Sequence, residues 1–170
     1  MTDPVLPSDP ATTVIPAEPI IHAEVGTGDI QPGATPMLIV CKFPDPLICE
    51  KMDNDLWKVH ARFRYIRQRD GKEETITVRK GATTDFASVP PLFWSIVPKD
   101  GRWDGPALIH DELYRMRGAD RNPARTRAEC DFIFYEGMGV VGVPYWKRWT
   151  MWTAVRLFGS GPWNKGGLKQ

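Results

Sequence analysis

The sequence has no long apolar run and few cysteines, and each shortage argues against a class of protein. No apolar stretch in the 170 residues approaches the roughly 18 that a membrane-spanning helix needs. The opening Met-Thr-Asp-Pro lacks the basic and apolar segments of a secretory signal. The three cysteines form no Cys-x-x-Cys pair, which argues against a disulfide framework and a thiolate zinc site. We expect a soluble protein that begins in a cytoplasm, with reduced, partly buried thiols.

The first part of the chain lacks basic residues, and the last part lacks acidic residues. Residues 1–41 hold five acids and no Lys or Arg, whereas no Asp or Glu follows Glu136. The basic residues of that last stretch are Lys147, Arg148, Arg156, Lys165 and Lys169. This asymmetry predicts an acidic arm and a body with a basic end. The formal net charge is only +1 and no nucleic-acid-binding motif is recognisable, which makes nucleic acid an unlikely partner.

Prolines separate the arm from the body. Seven of the 16 prolines fall at or before Pro36, and neither a helix nor a sheet ladder can run through that spacing. We predict an extended proline-rich arm over residues 1–36 and a single domain over residues 37–170. The arm is either disordered or ordered by lying along another surface or chain. An assembly arm that contacts neighbouring subunits is supported by its apolar residues Val14, Ile15, Ile20 and Ile21.

Residues 37 to about 80 have the patterns of a small antiparallel sheet. Residues 37–43 and 47–49 are short apolar runs between prolines. Residues 57–65 alternate between apolar and mostly basic side chains, which predicts one strand with one buried face. Asp70-Gly71 suits a type I′ turn, and the β-branched residues of 75–78 return from it. We therefore predict a hairpin.

From residue 104 onward the pattern is helical. Asp104 is predicted to cap a helix that runs to Arg117 and stops at Gly118. Thr126-x-x-Glu129 is a capping box, and the helix it opens should end among Gly137, Gly139 and Gly142. A third helix should follow Pro144 and end at Phe158, before Gly159. Strands followed by helices indicate an α+β fold: an extended N-terminal arm, a small antiparallel sheet with a hairpin, and a C-terminal three-helix part.

The third helix allows two interpretations. Trp149, Trp152 and Val155 are spaced by three, which favours packing of this stripe into the core. Its tryptophans and its basic residues Lys147, Arg148 and Arg156 are also typical of a helix that rests on an anionic membrane surface.

The first two helices carry the residues best suited to catalysis. His110 and Tyr114 are four apart and share a face, whereas Asp111 is rotated by about 100°. If the helices pack antiparallel, Asp131 of the second can reach the ring of His110. A histidine held in one tautomer by a carboxylate can take a proton from water, and Asp111 is left to bind a hard cation such as calcium.

The same residues also suit a structural role. Asp131 lies in an apolar stretch, where a carboxylate is costly unless His110, Tyr114 or an arginine pairs with it. Such a pairing supports a fold as readily as a reaction. A serine nucleophile is disfavoured because Ser88 has no Gly-x-Ser-x-Gly motif. A phosphohydrolase of the His-Asp doublet type is disfavoured because only His22 and His60 remain as further histidine ligands.

His110-Asp111-x-x-Tyr114 followed by Asp131 resembles the helix pair of secreted and parvoviral phospholipases A2. This resemblance implies that His110 activates water, that Asp111 binds calcium, and that Tyr114 and Asp131 orient the histidine. It implies a calcium-dependent hydrolase of lipid esters, with membrane lipid as a partner.

A broader similarity covers residues 81 to about 158, where separated motifs occur in order and resemble the phage and prophage domain-of-unknown-function family 1353. These motifs are Thr84-Asp85-Phe86-Ala87-Ser88-Val89-Pro90, His110-Asp111-x-x-Tyr114, Arg127-x-Glu129-x-Asp131 and Gly142-Val143-Pro144. The resemblance implies a phage-encoded protein, often from virion gene neighbourhoods, with no settled activity. We therefore expect the protein in the virion, after synthesis in the bacterial host cytoplasm. It also makes Thr84, Asp85 and Ser88 candidates for a polar loop beside the His/Asp pair, with Asp85 as a second metal ligand.

Two functional hypotheses follow from these resemblances. In the first, a virion-associated tail or capsid/neck protein carries a phospholipase-A2-like site, contacts other virion proteins through its N-terminal arm and belongs to an oligomeric assembly. In the second, the protein is a purely structural phage component, and the His/Asp pair only braces the helix pair.

Overall fold

A computed structural model describes residues 12–15, 21–23, 39–52, 56–69, 71–84 and 103–166. Within these ranges strands come first and helices after, which confirms the α+β class. The strands are β1 (Thr12–Ile15), β2 (Ile21–Ala23), β3 (Ile39–Lys42), β4 (Leu47–Lys51), β5 (Trp57–Val59), β6 (Phe63–Arg69), β7 (Lys72–Val78) and β8 (Thr83–Thr84). The helices are α1 (Asp104–Arg115), α2 (Arg127–Val140), α3 (Tyr145–Phe158) and α4 (Ser160–Lys165). No helix in this part of the chain is long and apolar enough to cross a membrane.

The strands form two antiparallel sheets rather than one. Their orders are β1-β4-β5-β8 and β2-β3-β6-β7. Two segments of the predicted arm are extended, as expected, and each lies along a strand of the body: β1 pairs with β4 and β2 with β3. The other residues of the arm lie outside the described ranges. The arm therefore supplies a terminal strand to each sheet.

The predicted hairpin is confirmed, but the predicted strand over residues 57–65 is wrong. β6 and β7 pair from Phe63↔Val78 to Arg69↔Lys72, and Gly71 has the positive φ of 71° that a tight turn requires. β5 pairs with β4 and β8, whereas β6 belongs to the other sheet. The chain crosses between sheets over residues 60–62. The sequence pattern does not reveal this crossing. Val59 before it and Phe63 and Tyr65 after it are all buried and are an even number of positions apart, so the period of two continues unbroken.

The carboxylate of Glu136, on a side chain that is only 7% exposed, joins α2 to one sheet. Glu136 on α2 accepts hydrogen bonds from the Tyr65 hydroxyl at 2.7 Å, from Arg67 at 2.8 Å and from the Cys41 thiol at 3.4 Å. The thiols of Cys41, Cys49 and Cys130 are free and buried, and burial raises the pKa of each to about 12. They are therefore protonated at neutral pH. The thiols are unpaired, as predicted, but they are almost fully buried rather than partly buried.

The first helix begins and ends slightly differently from the prediction. Trp103 is the N-cap residue and makes no side-chain cap, so the capping role predicted for Asp104 is wrong. Asp104 lies in the first turn instead, where the helix dipole favours an acid. The helix ends at Arg115, two residues early. Arg117 and Gly118 both have positive φ, and the Gly118 amide closes the turn on the carbonyl of Leu113 at 2.9 Å.

The second and third helices begin where their signals predict. Both reciprocal hydrogen bonds of the Thr126/Glu129 capping box are present. The α2 helix continues through Gly137 and Gly139 and ends at Val140, before Gly142 with its φ of 78°. The α3 helix occupies the predicted span between Pro144 and Gly159. The short α4 helix was not predicted.

The core stripe predicted on α3 is wrong for Trp149. This side chain is 53% exposed, whereas the buried residues of the helix are Met151, Ala154 and Val155. Steps of three residues rotate by about 300°, so a 149–152–155 series winds around the helix. It begins on the exposed face and reaches the core only at Val155.

Candidate active site

The first two helices pack antiparallel, as the sequence predicts. Tyr114, near the end of α1, meets Asp131 near the start of α2. Pro106, at the start of α1, lies against Gly137 near the end of α2, and a Cβ at this glycine would be 3.4 Å from the proline ring. A link of only eleven residues, 116–126, joins the two helices.

His110 and Asp131 are in direct contact and both are fully buried. Nε2 of His110 lies 3.0 Å from Oδ1 of Asp131, which confirms the predicted contact. Because an ionised carboxylate can only accept, Nε2 carries the proton and donates it. The Nδ1 atom then holds a lone pair, and it has no hydrogen-bond partner within the described ranges. This tautomer is the one that a general base requires.

Asp131 is held by side chains from all three long helices. Its Oδ1 also accepts from the Tyr114 hydroxyl at 2.5 Å, and its Oδ2 accepts from Arg156 of α3 at 2.8 Å. Arg127, one turn earlier on α2, is 3.7 Å from the same oxygen. Burial opposes ionisation of Asp131, but hydrogen bonds from His110, Tyr114 and Arg156 outweigh it and lower the pKa of this carboxyl.

The surroundings of His110 keep its ring neutral. Burial lowers the pKa of His110 below its ordinary value, and the attraction of Asp131 offsets this only in part. The ring packs against Tyr114 and Phe134, with centroids 4.1 and 4.9 Å away. The pKa of Tyr114 is raised by burial and by Asp131, so the phenol stays protonated and continues to donate.

A cavity of about 460 Å³ borders the histidine. Its lining includes polar or partly polar residues, which are His110, Asp111, Tyr114, Arg115, Thr83 and Thr84. It also includes the apolar residues Leu56, Ala154, Val155, Phe158 and Pro162. Lys165 and two glycines complete the lining. The volume and the mixed wall suit a ligand with one polar and one apolar part.

Of the two predicted metal ligands, the structure describes one. Asp111 lines the cavity, and its Oδ2 accepts a hydrogen bond from the Thr84 hydroxyl at 2.5 Å. Thr84 thus lies beside the site, as the family resemblance implies. Asp85 and Ser88 lie outside the described ranges. Where side chains are described, no group of three or more His, Cys, Asp or Glu could hold a metal ion. Calcium binding stays a prediction.

The sequence pointed to an arginine partner for Asp131 without identifying Arg156 or Arg127. Arg127 also donates to the carbonyls of Val155 and Arg156, at 3.2 and 3.1 Å. This residue therefore ties the end of α3 to the start of α2. One feature of the sequence could have indicated Arg156 as a partner. The third helix contains basic residues but no acid, so a carboxylate that pairs with one of them must come from another segment.

Comparison with known proteins gives a family but no activity. The chain is 36% identical over 84 residues to "Uncharacterized protein y4jT" of Sinorhizobium fredii. The aligned region is 48% of this chain but only 23% of that protein, so the chain spans less than a quarter of this relative. No solved structure matches. Residues 57–155 match the family described as "Protein of unknown function (DUF1353)", and because this match covers more than half of the chain, the chain belongs to the DUF1353 family.

Proposed function

We propose that this protein is a hydrolase of lipid esters in which His110 takes a proton from water. The contact of His110 with Asp131 beside the cavity carries this proposal. The carboxylate holds Nε2–H, and Nδ1 keeps a lone pair with no partner within the described ranges. A neutral histidine oriented in this way is a common general base in enzymes.

In the proposed reaction, Nδ1 of His110 accepts a proton from water while the water oxygen bonds to the ester carbonyl carbon. The tetrahedral intermediate then collapses and the bond from this carbon to the alkoxy oxygen breaks. The imidazolium returns its proton to the leaving alcohol. The products are a carboxylic acid and an alcohol, and His110 is neutral again. Asp131 remains ionised and stabilises the transient imidazolium.

The cavity wall supports an amphipathic substrate. Thr83, Thr84, His110 and Asp111 contribute polar groups to the lining, whereas Val155 and Phe158 contribute apolar surface. An acyl chain can lie along the apolar part while its ester group lies at the polar part. The likeness of His110-Asp111-x-x-Tyr114 and Asp131 to the phospholipase A2 helix pair supports phospholipid as the ester.

We further propose calcium as the cofactor, with Asp111 and Asp85 as its carboxylate ligands. The support is that Asp111 lines the cavity beside the Thr84 hydroxyl, and calcium prefers oxygen ligands of these kinds. When bound, the ion would supply positive charge for the oxygen that becomes negative during attack. The calcium proposal is separable from the role of His110.

Release of fatty acid from phospholipid vesicles tests both proposals. Wild-type protein should release fatty acid with calcium present, and a His110→Gln variant that still folds cooperatively should release none. If wild-type protein releases no fatty acid with calcium, the hydrolase proposal is rejected. If release continues unchanged in a chelator, calcium is rejected and the role of His110 stands.

A second proposal is that the protein is a virion component of a phage and that the arm makes assembly contacts. The support is that β1 and β2 are the terminal strands of their sheets, and terminal strands can pair with another chain. In this alternative the bonds of Asp131 to α1 and α3 only brace the helices. Mass spectrometry of purified particles from an induced host is the test, and absence of the protein from particles would reject this proposal.

A further inference from the structure

The outer face of α3 carries large apolar side chains that contact water. Tyr145, Trp146, Trp149 and Leu157 are each more than half exposed. Trp146 and Trp149 are three apart and Leu157 follows eight residues later, so they form one stripe along the helix. Single exposed apolar residues are ordinary, but a continuous group of this size marks an interaction surface.

Aromatic rings of α2 extend this stripe into a broader surface. Phe132, which is 46% exposed, stacks on Tyr135 with ring centroids 6.2 Å apart. Tyr135 in turn meets the edge of Trp152 on α3 at 6.4 Å. The Arg148 guanidinium lies between Tyr135 and Tyr145, 5.0 and 5.9 Å from the two rings. We call these residues of α2 and α3 the aromatic surface.

On α3 the charges next to the aromatic surface are positive only, whereas on α2 Glu129 lies one turn before Phe132 and is paired with Arg121. No acid occurs after Glu136, so α3 and α4 contain none. The ammonium group of Lys147 lies 5.4 Å from the Trp146 ring at the start of α3. A partner that covers this surface must accept tryptophan and tyrosine rings beside cations. Phospholipid headgroups do so, since Trp and Tyr favour the membrane interface and Lys and Arg favour anionic lipid.

Phe158, at the end of α3, is also exposed, but it lies on another side of the helix from Trp149. Nine residues separate the two, which is a rotation of about 900°, or two and a half turns. Phe158 lines the cavity together with the buried Ala154 and Val155, so the cavity lies on the side of α3 opposite the aromatic surface. The aromatic surface is therefore a feature separate from the cavity.

We propose that the aromatic surface binds the surface of a bilayer that contains anionic phospholipid. A second copy of this chain fits less well, because pairing two copies through α3 would bring their Lys147 side chains together with no acid on that helix. Nucleic acid also fits less well, because phosphate binding needs many free cations. Arg156 is engaged by Asp131 and Arg148 contacts two tyrosine rings, so the remaining cation of α3 is Lys147, which is half-buried beside Trp146.

Sedimentation of the full chain with vesicles tests this proposal. The vesicles contain phosphatidylcholine, with or without phosphatidylglycerol. We expect wild-type protein to bind the anionic vesicles, and the double variant Trp146→Ser/Trp149→Ser to bind at least about tenfold more weakly with an unchanged melting temperature. Lys147→Gln should weaken binding to anionic vesicles, whereas Lys72→Gln, at the exposed hairpin, should not.

Binding does not depend on the proposed hydrolysis, and the variants keep the two separate. His110→Gln should bind vesicles as wild-type protein does even though it releases no fatty acid. The proposal is overturned if wild-type protein does not bind anionic vesicles, or if the double tryptophan variant binds as well as wild type. Two other results would also overturn it. In one, the double variant converts a dimer to a monomer without a change in vesicle binding. In the other, it loses strongly salt-dependent binding to single-stranded DNA without a change in vesicle binding.

Discussion

His110 and Asp131 are 21 positions apart in the chain, yet Nε2 of one lies 3.0 Å from Oδ1 of the other in a fully buried contact. The contact depends on the antiparallel packing of α1 and α2, and Arg156 extends it to α3. The three helices are thus joined at one carboxylate. Substitutions of Asp131 or of its hydrogen-bond donors should change both the stability of the fold and the rate of the proposed reaction, but by different amounts.

Asp131→Asn should lower kcat/KM for ester hydrolysis by about 10³- to 10⁴-fold. The amide can donate to Nε2, which would move the proton to Nδ1 and remove the base. Hydrolysis of a water-soluble short-chain ester gives the rate, and thermal melting verifies the fold. Asp45→Asn is the matched control, since Asp45 pairs with Arg64 away from the cavity lining and the rate should be unchanged. A folded Asp131→Asn variant with wild-type activity would show that His110 is not the base.

Tyr114→Phe should have a smaller effect on both rate and stability. It removes one hydrogen bond to Asp131 but keeps the ring that packs on His110. We expect a loss of about 1 kcal/mol in the free energy of unfolding, since a single hydrogen bond contributes about this much. The rate should fall about tenfold, which corresponds to about 1.4 kcal/mol in the barrier. Urea unfolding and kcat measure the two effects. An unchanged kcat would show that the Tyr114 hydroxyl does not contribute to the reaction and that the residue only packs against His110.

Stability should fall as the pH falls below about 6.5. The pKa of His110 is lower in the folded chain than its ordinary value of 6.5, so below this pH the unfolded chain binds the extra proton first. The stabilisation is complete above pH 6.5 and is lost as the pH falls toward the folded pKa. The pKa of Asp131 is also lowered, so its contribution disappears only below its ordinary value of 3.8.

Urea unfolding of wild-type protein and His110→Gln at about pH 7.5 and about pH 5.5 measures this effect. The free energy of unfolding should fall less in the variant over this interval. The proposed activity should likewise persist below pH 6.5, because the base remains neutral there. Equal pH dependence in the two proteins would contradict a lowered pKa for His110.

Glu136→Gln should destabilise the protein by about 3 kcal/mol, because it leaves the buried Arg67 without its closest carboxylate. Arg67 is almost completely buried, and its other carboxylate contact, with Glu74, is longer at 3.5 Å. Glu50→Gln is the control. The side chains of His60 and Glu50 are 40% and 41% exposed in their contact, so the expected change is below about 1 kcal/mol. Chemical denaturation gives the free energy of unfolding of both variants. Equal losses would show that breaking the buried contact of Glu136 is no more destabilising than breaking the contact of Glu50.

Thr126→Ala should destabilise the protein by about 1 kcal/mol, because its hydroxyl caps α2 and receives the Glu129 amide. Thr150→Ala is the matched control. The Thr150 hydroxyl donates to the Trp146 carbonyl within the same helix, so its removal should change stability little. Urea midpoints of both variants provide the comparison. A larger loss for Thr150→Ala would contradict the capping role.

The features that could be predicted from the sequence are local. The Thr126/Glu129 box and the Pro144 and Gly159 signals located α2 and α3, because capping depends on residues within one turn. The Gly71 hairpin was predictable for the same reason. The capping role predicted for Asp104 was wrong because an acid near a helix start suits the N-cap position and the first turn equally well.

The sequence by itself determined the order of elements, the shared face of His110 and Tyr114, and the need of Asp131 for partners. Only the tertiary structure decided that Arg156 is one of those partners, that residues 57–69 divide between two sheets, and that Trp149 contacts water. The physical reason is that spacing gives the angle between residues on one helix or strand. The rotation of each element about its own axis, and hence the side that meets its neighbours, is set by packing between segments that are distant in the chain.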